Sequence, residues 1–162
     1  MGLLGFYFQP AGRIARSRFW LGLLGLVIIV SAIKFWLMTS LLGIDPLASA
    51  QVQLTRTGVE LSLLIDLIFL FPTFVLLAKR FHDRNKSAAW SLPFLLSSVA
   101  TDGGILFGWL PSQLPIDPAS IKPEGMALAF GSTLIILWTV IELGCLRGTR
   151  GVNRFGADPL GS

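Results

Sequence analysis

The feature that most constrains this chain is a set of four apolar stretches, each about as long as a helix that crosses a membrane. They cover residues 19–44, 59–78, 88–110 and 126–146. A helix needs ~20 apolar residues to cross ~30 Å of hydrocarbon. Only 14% of the 162 residues are charged, and the mean hydropathy is +0.72, whereas a soluble domain has roughly 25% charged residues. The sequence therefore predicts an all-α polytopic membrane protein with four transmembrane helices in a single domain over residues 1–162.

The third apolar stretch is the least regular of the four. Residues 101–104 read Thr-Asp-Gly-Gly, which places a charged residue and two weak helix formers inside a membrane span. These residues predict a point at which the third helix can break.

The distribution of basic residues predicts the orientation in the membrane. Of the 13 Lys and Arg residues, ten lie in residues 1–18, 79–87 and 147–162, two lie in the other two connections, and Lys34 lies within the first stretch. Positive charge next to spanning helices is retained on the cytoplasmic side. Both termini are therefore expected on the cytoplasmic side of the membrane.

The same residues exclude several classes of function. The cations are split among three segments beside the membrane and form no recognisable nucleic-acid module, so anionic lipid is the expected partner and nucleic acid is not. One cysteine and one histidine are too few for a disulfide framework or a multi-histidine zinc site. We expect no cofactor and no metal.

Three polar segments flank the apolar stretches and carry recognisable patterns. They lie at residues 12–20, 79–90 and 147–159. Asn85 suits a left-handed turn, and Ser87 suits the start of the next helix. The patterns G-R-I-x-R-x-x-F-W, R-x-H-D-x-x-x-S-x-x-W and G-x-N-R-F-G-x-D-P, in this order, resemble the YhaH-like family of small bacterial inner-membrane proteins, a domain of unknown function numbered 805.

The resemblance extends from Gly12 to Pro159 and implies an inner-membrane location and a compact helical fold. It implies no activity, because none is established for the family. It marks five further residues as structural parts of the motifs: Trp90, Asn153, Gly156, Asp158 and Pro159.

The carboxylates of the polar segments predict how these segments are held together. Asp83 and Asp158 are the only acids in the three segments, and each should pair with an arginine. We expect Arg13 or Arg16 beside Asp83, and Arg80 beside Asp158. The assembled cap would remain cationic and bind an anionic lipid headgroup, a partner membrane protein or a second copy of the chain through a set of six residues: Arg13, Arg16, Arg80, His82, Asp83 and Arg154.

Charged residues within the apolar stretches predict a second cluster. At a rise of ~1.5 Å per residue, Lys34 and Asp66 lie at similar depths, so we expect an ion pair between them. Asp102 would extend this pair to two acids and one base around a polar pocket that relays protons or binds a cation. Glu142, near the end of the last stretch, is expected to pair with the arginines there.

Three hypotheses for function follow from these two clusters. The first is a non-enzymatic membrane module that uses the cap. The second is a small transporter or channel component that uses Lys34, Asp66 and Asp102. The third is an enzyme that acts on a lipid headgroup through His82 and Asp83, although consecutive helical residues point ~100° apart. The residues favour the first hypothesis.

Overall fold

The computed structural model describes residues 2–43, 52–114 and 116–161, and it is built from helices. The α-helices are α1 (Leu3–Phe8), α2 (Arg16–Trp36), α3 (Arg56–Asp83), α4 (Leu92–Leu106) and α5 (Pro123–Thr139). π-Helical turns extend α2 over Leu37–Leu41 and α5 over Val140–Cys145, and short 3-10 turns lie at Ala88–Ser91 and Pro118–Ser120. The two-residue strands β1 (Val52–Gln53) and β2 (Gln113–Leu114) pair antiparallel.

Three helices within the described residues are long and apolar enough to cross a membrane. They are Arg16–Ser40, Arg56–Asp83 and Pro123–Cys145, which correspond to the first, second and fourth predicted spans. The predicted end of the first span at residue 44 lies outside the described residues. The prediction of an all-α membrane protein is confirmed.

The third predicted span is shorter than expected but is not broken. Helix α4 runs through residues 101–104 and ends at Leu106. Its 15 residues span ~22 Å, and the 3-10 turn at Ala88–Ser91 precedes them directly. Gly104 is buried against α5, where a Cβ atom would lie 2.6 Å from Leu128 Cδ2. The glycine that weakens the helix locally therefore allows α4 and α5 to pack closely, and the count of four spans stays a prediction.

The apolar side chains divide between a core and an outer face. The core joins side chains from all the long helices: Ile14, Phe19, Leu26, Leu76, Leu77, Phe81, Leu95 and Leu143. Large apolar side chains also cover the outside of the bundle, among them Leu21, Ile68 and Phe130, which are 69%, 63% and 68% exposed. A helix that is apolar all round is typical of a chain surrounded by lipid.

The local predictions for the connection after α3 are confirmed. Asn85 has φ of 57°, the left-handed conformation that asparagine tolerates better than most residues. Ser87 Oγ accepts a hydrogen bond from the Ala89 amide at 3.3 Å. These two residues turn the chain from α3 into the 3-10 turn and α4.

The short helix α1 was not predicted. Lys79 on α3 lies fully buried beneath it and donates hydrogen bonds from Nζ to the carbonyls of Gly5 and Phe6, at 2.7 and 2.9 Å. A cation at this position complements the negative end of the helix. Helix α1 therefore depends on a residue more than 70 positions away.

Candidate functional site

Asp83 lies at the centre of the polar end of the bundle, between two arginines. Its Oδ1 accepts a hydrogen bond from Arg13 Nε at 3.1 Å and lies 3.0 Å from Arg13 Nη2, while its Oδ2 accepts from Arg80 Nη1. The Asp83 side chain is 4% exposed, and each of the two arginine side chains is 1% exposed. The predicted pair of Asp83 and Arg13 is confirmed. We call the region formed by residues 12–20, 79–90 and 142–160 the polar cap.

Arg13 also binds the C-terminal tail. It donates to the carbonyls of Thr149, Gly151 and Gly156 at 2.5, 2.7 and 3.2 Å. The Thr149 amide and hydroxyl donate in turn to the Asp83 carbonyl, at 2.8 and 2.9 Å. One buried guanidinium group thus joins the three polar segments that the sequence separates by the apolar stretches.

Arginine and tryptophan side chains bind the carbonyls at the end of the π-helical turn Val140–Cys145. Arg80 donates to the carbonyls of Leu143 and Leu146, each at 2.7 Å. Two neighbouring carbonyls accept from Trp20 and Arg16, at 3.4 and 2.9 Å. The last carbonyls of a helix lack partners within the helix and carry partial negative charge. These donors therefore fix the end of the last membrane helix to α2 and α3.

The predicted pair of Arg80 and Asp158 is wrong. Arg80 is occupied by Asp83 and by the helix carbonyls, whereas Asp158 accepts hydrogen bonds from the Gly151 and Leu160 amides, each at 3.0 Å. These bonds, the Leu160 amide first, hold the pKa of the Asp158 carboxyl below its ordinary value because they favour the charged form. Asp158 therefore shapes the tail and does not bind Arg80.

The other tail motif residues dock the tail onto the end of α3. The ring of Phe155 stacks on His82 with centroids 3.9 Å apart, and Asn153 Nδ2 donates to the His82 carbonyl at 2.9 Å. Arg154 donates to the Asn85 carbonyl at 3.1 Å. Gly156 pairs with Asn153 in a β-bridge and has φ of 130°, a conformation that favours glycine.

Glu142 pairs with two cations of the segment that follows α3. Its Oε1 lies 2.6 Å from both Arg84 Nε and Lys86 Nζ, so the predicted pairing with a nearby arginine is confirmed. Lys86 also lies over the ring of Trp90, 5.6 Å from its centroid, and Trp90 packs against Trp138. The motif tryptophan thus has a packing role beside this ion pair.

A cavity of about 590 Å³ opens within the polar cap. The first turn of α2 and the segment after α5 form its walls, and its charged lining comprises Arg16, Arg80, Asp83, Arg147, Arg150 and Asp158. Both carboxylates already accept hydrogen bonds, as described above. The guanidinium groups of Arg147 and Arg150 make no hydrogen bond or ion pair with any residue that the structure describes, and both side chains are exposed.

The predicted binding residues divide between cavity and scaffold. Of the six, Arg16, Arg80 and Asp83 line the cavity, and Arg13, His82 and Arg154 do not. His82 and Asp83 consequently face different surroundings and do not form a shared catalytic pair. Among the described residues, no group of three or more His, Cys, Asp or Glu side chains could hold a metal ion.

Sequence reasoning missed Arg147 and Arg150 as site residues. The charge count placed them on the same side as Arg16, but no motif distinguishes them from the other cations. Their proximity to Arg16 depends on the turn after the last helix, which the long-range bonds from Arg13 hold in place. The only available signal was their clustering next to the motif GVNRFGADP.

The predicted pair within the apolar region is present. Lys34 Nζ on α2 lies 2.6 Å from Asp66 Oδ1 on α3, which confirms the expectation. Asp102 on α4 faces both residues and the Ser62 hydroxyl. The structure thus brings together the three residues that the sequence analysis assigned to this cluster: Lys34, Asp66 and Asp102.

These features define a helical membrane protein whose polar segments are joined at one end of the bundle by buried arginines. The chain belongs to the family described as "Protein of unknown function (DUF805)", which matches residues 7–157. The resemblance found in the three motifs is therefore confirmed.

Two relatives from Escherichia coli (strain K12) match nearly the whole chain. "Uncharacterized protein YiiR" is 30% identical over 155 residues, which cover 93% of this chain and 86% of the relative. "Inner membrane protein YhaH" is 26% identical over 148 residues, which cover 91% and 84%. No solved structure shows a significant match to the chain.

Proposed function

We propose that the chain is a non-enzymatic module of the bacterial inner membrane whose polar cap faces the cytoplasm and binds the headgroup of an anionic phospholipid. The observation that carries this proposal is the cavity in the polar cap, where Arg147 and Arg150 have no partner within the described part of the chain. The name of the relative "Inner membrane protein YhaH" supports the inner-membrane location.

The charge distribution supports the orientation. Ten of the 13 basic residues lie in the three polar segments, and hydrogen bonds from Arg13 and Arg80 join these segments at one end of the bundle. Basic residues accumulate beside spanning helices on the cytoplasmic side. A single basic end is thus consistent with cytoplasmic termini.

The lining of the cavity suits a phosphate group. Four arginines face two carboxylates there, so the lining has a net positive charge. Arginine donates two parallel hydrogen bonds to a phosphate with favourable geometry. Arg16 and Ser17, the first residues of α2, also line this wall, and the first backbone amides of a helix have no acceptor within the helix.

The position of the cavity favours a lipid over a free anion. Trp20 lines it, is 41% exposed and lies at the start of a helix long enough to cross the membrane. Tryptophan at a helix end is enriched at the depth of the lipid headgroups. A phosphate bound beside Trp20 would then lie at headgroup level.

The test is the retention of lipid by the full chain, extracted in mild detergent and examined by native mass spectrometry. We expect the wild-type protein to retain an anionic phospholipid in a one-to-one complex. The double variant Arg147→Gln/Arg150→Gln should lose it. Each surface cation contributes ~1 kcal/mol to binding of an anionic lipid, so the affinity for nanodiscs containing anionic lipid should fall roughly 30-fold.

The matched control is Arg18→Gln/Arg56→Gln, which removes the same charge at positions that do not line the cavity. Equal loss in both double variants would show that net charge alone attracts the lipid and would overturn the cavity site. Displacement of the lipid by inorganic phosphate would identify a free anion as the ligand. A bare protein, or one that retains only a partner chain or a second copy, would contradict lipid binding.

A further inference from the structure

A second charged cluster lies outside the polar cap, between three helices. Lys34 of α2 and Asp66 of α3 form an ion pair with Nζ and Oδ1 2.6 Å apart, and their side chains are 27% and 20% exposed. Asp102 of α4 completes the cluster. The function proposed for the polar cap does not involve any of these residues.

One oxygen of Asp102 lacks a hydrogen-bond partner among the described residues. Its Oδ2 is buried and has no hydrogen-bond partner in the part of the chain that the structure describes. Among the described residues, the ionisable groups that face Asp102 are Lys34 from α2 and Asp66 from α3, and the Ser62 hydroxyl faces it as well. One buried carboxylate oxygen is therefore left beside a second carboxylate.

The charges of the cluster do not balance when every group is ionised. Two carboxylates face one ammonium group, and that ammonium group is already in contact with Asp66. A buried carboxylate without a hydrogen-bond donor costs several kcal/mol, and in hydrocarbon the cost is greater. Balance requires one further positive charge at Asp102.

A proton bound at Asp102 supplies both the missing positive charge and a hydrogen-bonding role for the unpaired oxygen. A protonated carboxyl group is neutral and gains an O–H donor, which faces the neighbouring Asp66 carboxylate, while Lys34 Nζ keeps its contact with Asp66 Oδ1. Two carboxylates that share one site hold a proton between them for this reason. No co-reactant is needed, because the step is the reversible binding of a proton from water.

We propose that Lys34, Asp66 and Asp102 form a proton-binding site in the membrane-embedded part of the protein, with the proton held between the two aspartates. The site supplies an exchangeable proton at the interface of α2, α3 and α4. This is the arrangement that a proton relay or a proton-coupled conformational change requires.

The experiment is infrared difference spectroscopy of the full chain in lipid vesicles during stepwise changes of pH. Exposed Asp and Glu side chains ionise near pH ~3.9 and ~4.3. We expect the wild-type protein to keep the carbonyl band of one protonated carboxyl group at pH values clearly above this range. The band should vanish in Asp102→Asn and also in Asp66→Asn, because the remaining carboxylate then pairs with Lys34.

Asp102→Asn has nearly the shape of the protonated residue, so we expect it to fold, and Glu60→Gln is the matched control. Glu60 lies on the same helix as Asp66 but pairs with the exposed Arg56, so this variant should keep the band. Absence of the band from the wild-type protein, or its persistence in Asp102→Asn, would overturn the proposal. Abolition of the band by sodium or potassium at constant pH, with a rise in the unfolding temperature, would show that the site takes a metal cation instead.

Discussion

Among single residues, Asp83 is the counterion that two buried arginines of the polar cap share. Its carboxylate lies between the guanidinium groups of Arg13 and Arg80, whose side chains are each 1% exposed. The Asp83 backbone carbonyl accepts a hydrogen bond from Thr149 of the tail. A Cβ atom at Gly148 would overlap the Asp83 carboxyl group. The tail backbone therefore passes in direct contact with this carboxyl group. Removal of the negative charge would leave two buried cations close together without a counterion.

We expect Asp83→Asn to lower the free energy of unfolding by about 3 kcal/mol, a typical loss when one partner of a buried ion pair is removed. The midpoint of unfolding in mixed detergent micelles with increasing dodecyl sulfate measures this change. Asp117→Asn is a suitable control, because Asp117 caps an exposed 3-10 turn by accepting from the Ala119 amide. An unchanged midpoint for Asp83→Asn would show that the arginines do not need this carboxylate.

Among the secondary-structure elements, helix α1 is stabilised by side-chain contacts with α2 and α3. A helix of six residues is not stable in isolation, and α1 has no side-chain hydrogen bond at its N-cap. Two contacts hold it in place: Lys79 binds its last carbonyls, and Tyr7 donates to the Gly22 carbonyl at 3.2 Å.

Lys79→Met should therefore release α1 while the rest of the bundle remains folded. Hydrogen bonds to a charged group contribute roughly 1.5–3 kcal/mol each, so protection of the α1 amides against hydrogen exchange should fall at least tenfold. Exchange measured by mass spectrometry on the peptide that covers residues 2–9 reports this directly. In the control Lys86→Met, exchange in that peptide should match the wild type, because Lys86 contacts Glu142 and Trp90 instead.

The elements also show what the sequence predicts well. The length of the apolar stretches gave the helices that cross the membrane, and local turn chemistry gave the conformation of Asn85 and Ser87, because these depend on nearby residues alone. Helix α1 was missed because Lys79, which stabilises it, is distant in sequence. Arg80 was assigned to the wrong aspartate because the carbonyls at the end of a π-helical turn, which lack partners within the helix, compete for arginine. Residue types alone do not reveal these carbonyls.

At the scale of the whole molecule, the connections define two ends. The polar cap joins the start of α2, the end of α3 and the tail. Strand β1, which precedes α3, pairs with strand β2, which follows α4, so this pair lies at the other end of α3. The 3-10 turn that begins two residues after Lys86 of the polar cap continues into helix α4, which leads towards the strand pair. It therefore connects the two ends despite its 15 residues, with the 3-10 turn at Ala88–Ser91 adding to its length.

This arrangement predicts the topology that a labelling experiment can test. With the native cysteine removed by Cys145→Ser, a single cysteine is introduced either by Ser120→Cys, beyond β2, or by Val152→Cys, in the tail, where the valine is 82% exposed. A membrane-impermeant thiol reagent should label the Ser120→Cys protein in bacterial spheroplasts and the Val152→Cys protein only after permeabilisation, because α4 carries the chain across the membrane before residue 120 and α5 carries it back before residue 152. If α4 did not cross, residue 120 would lie on the cytoplasmic side with the end of α3 and the tail would lie outside, so the two labelling patterns would be exchanged. The tail would then lie on the opposite side of the membrane from Arg13 and Asp83, and the hydrogen bonds that join them could not form. We therefore expect four crossings.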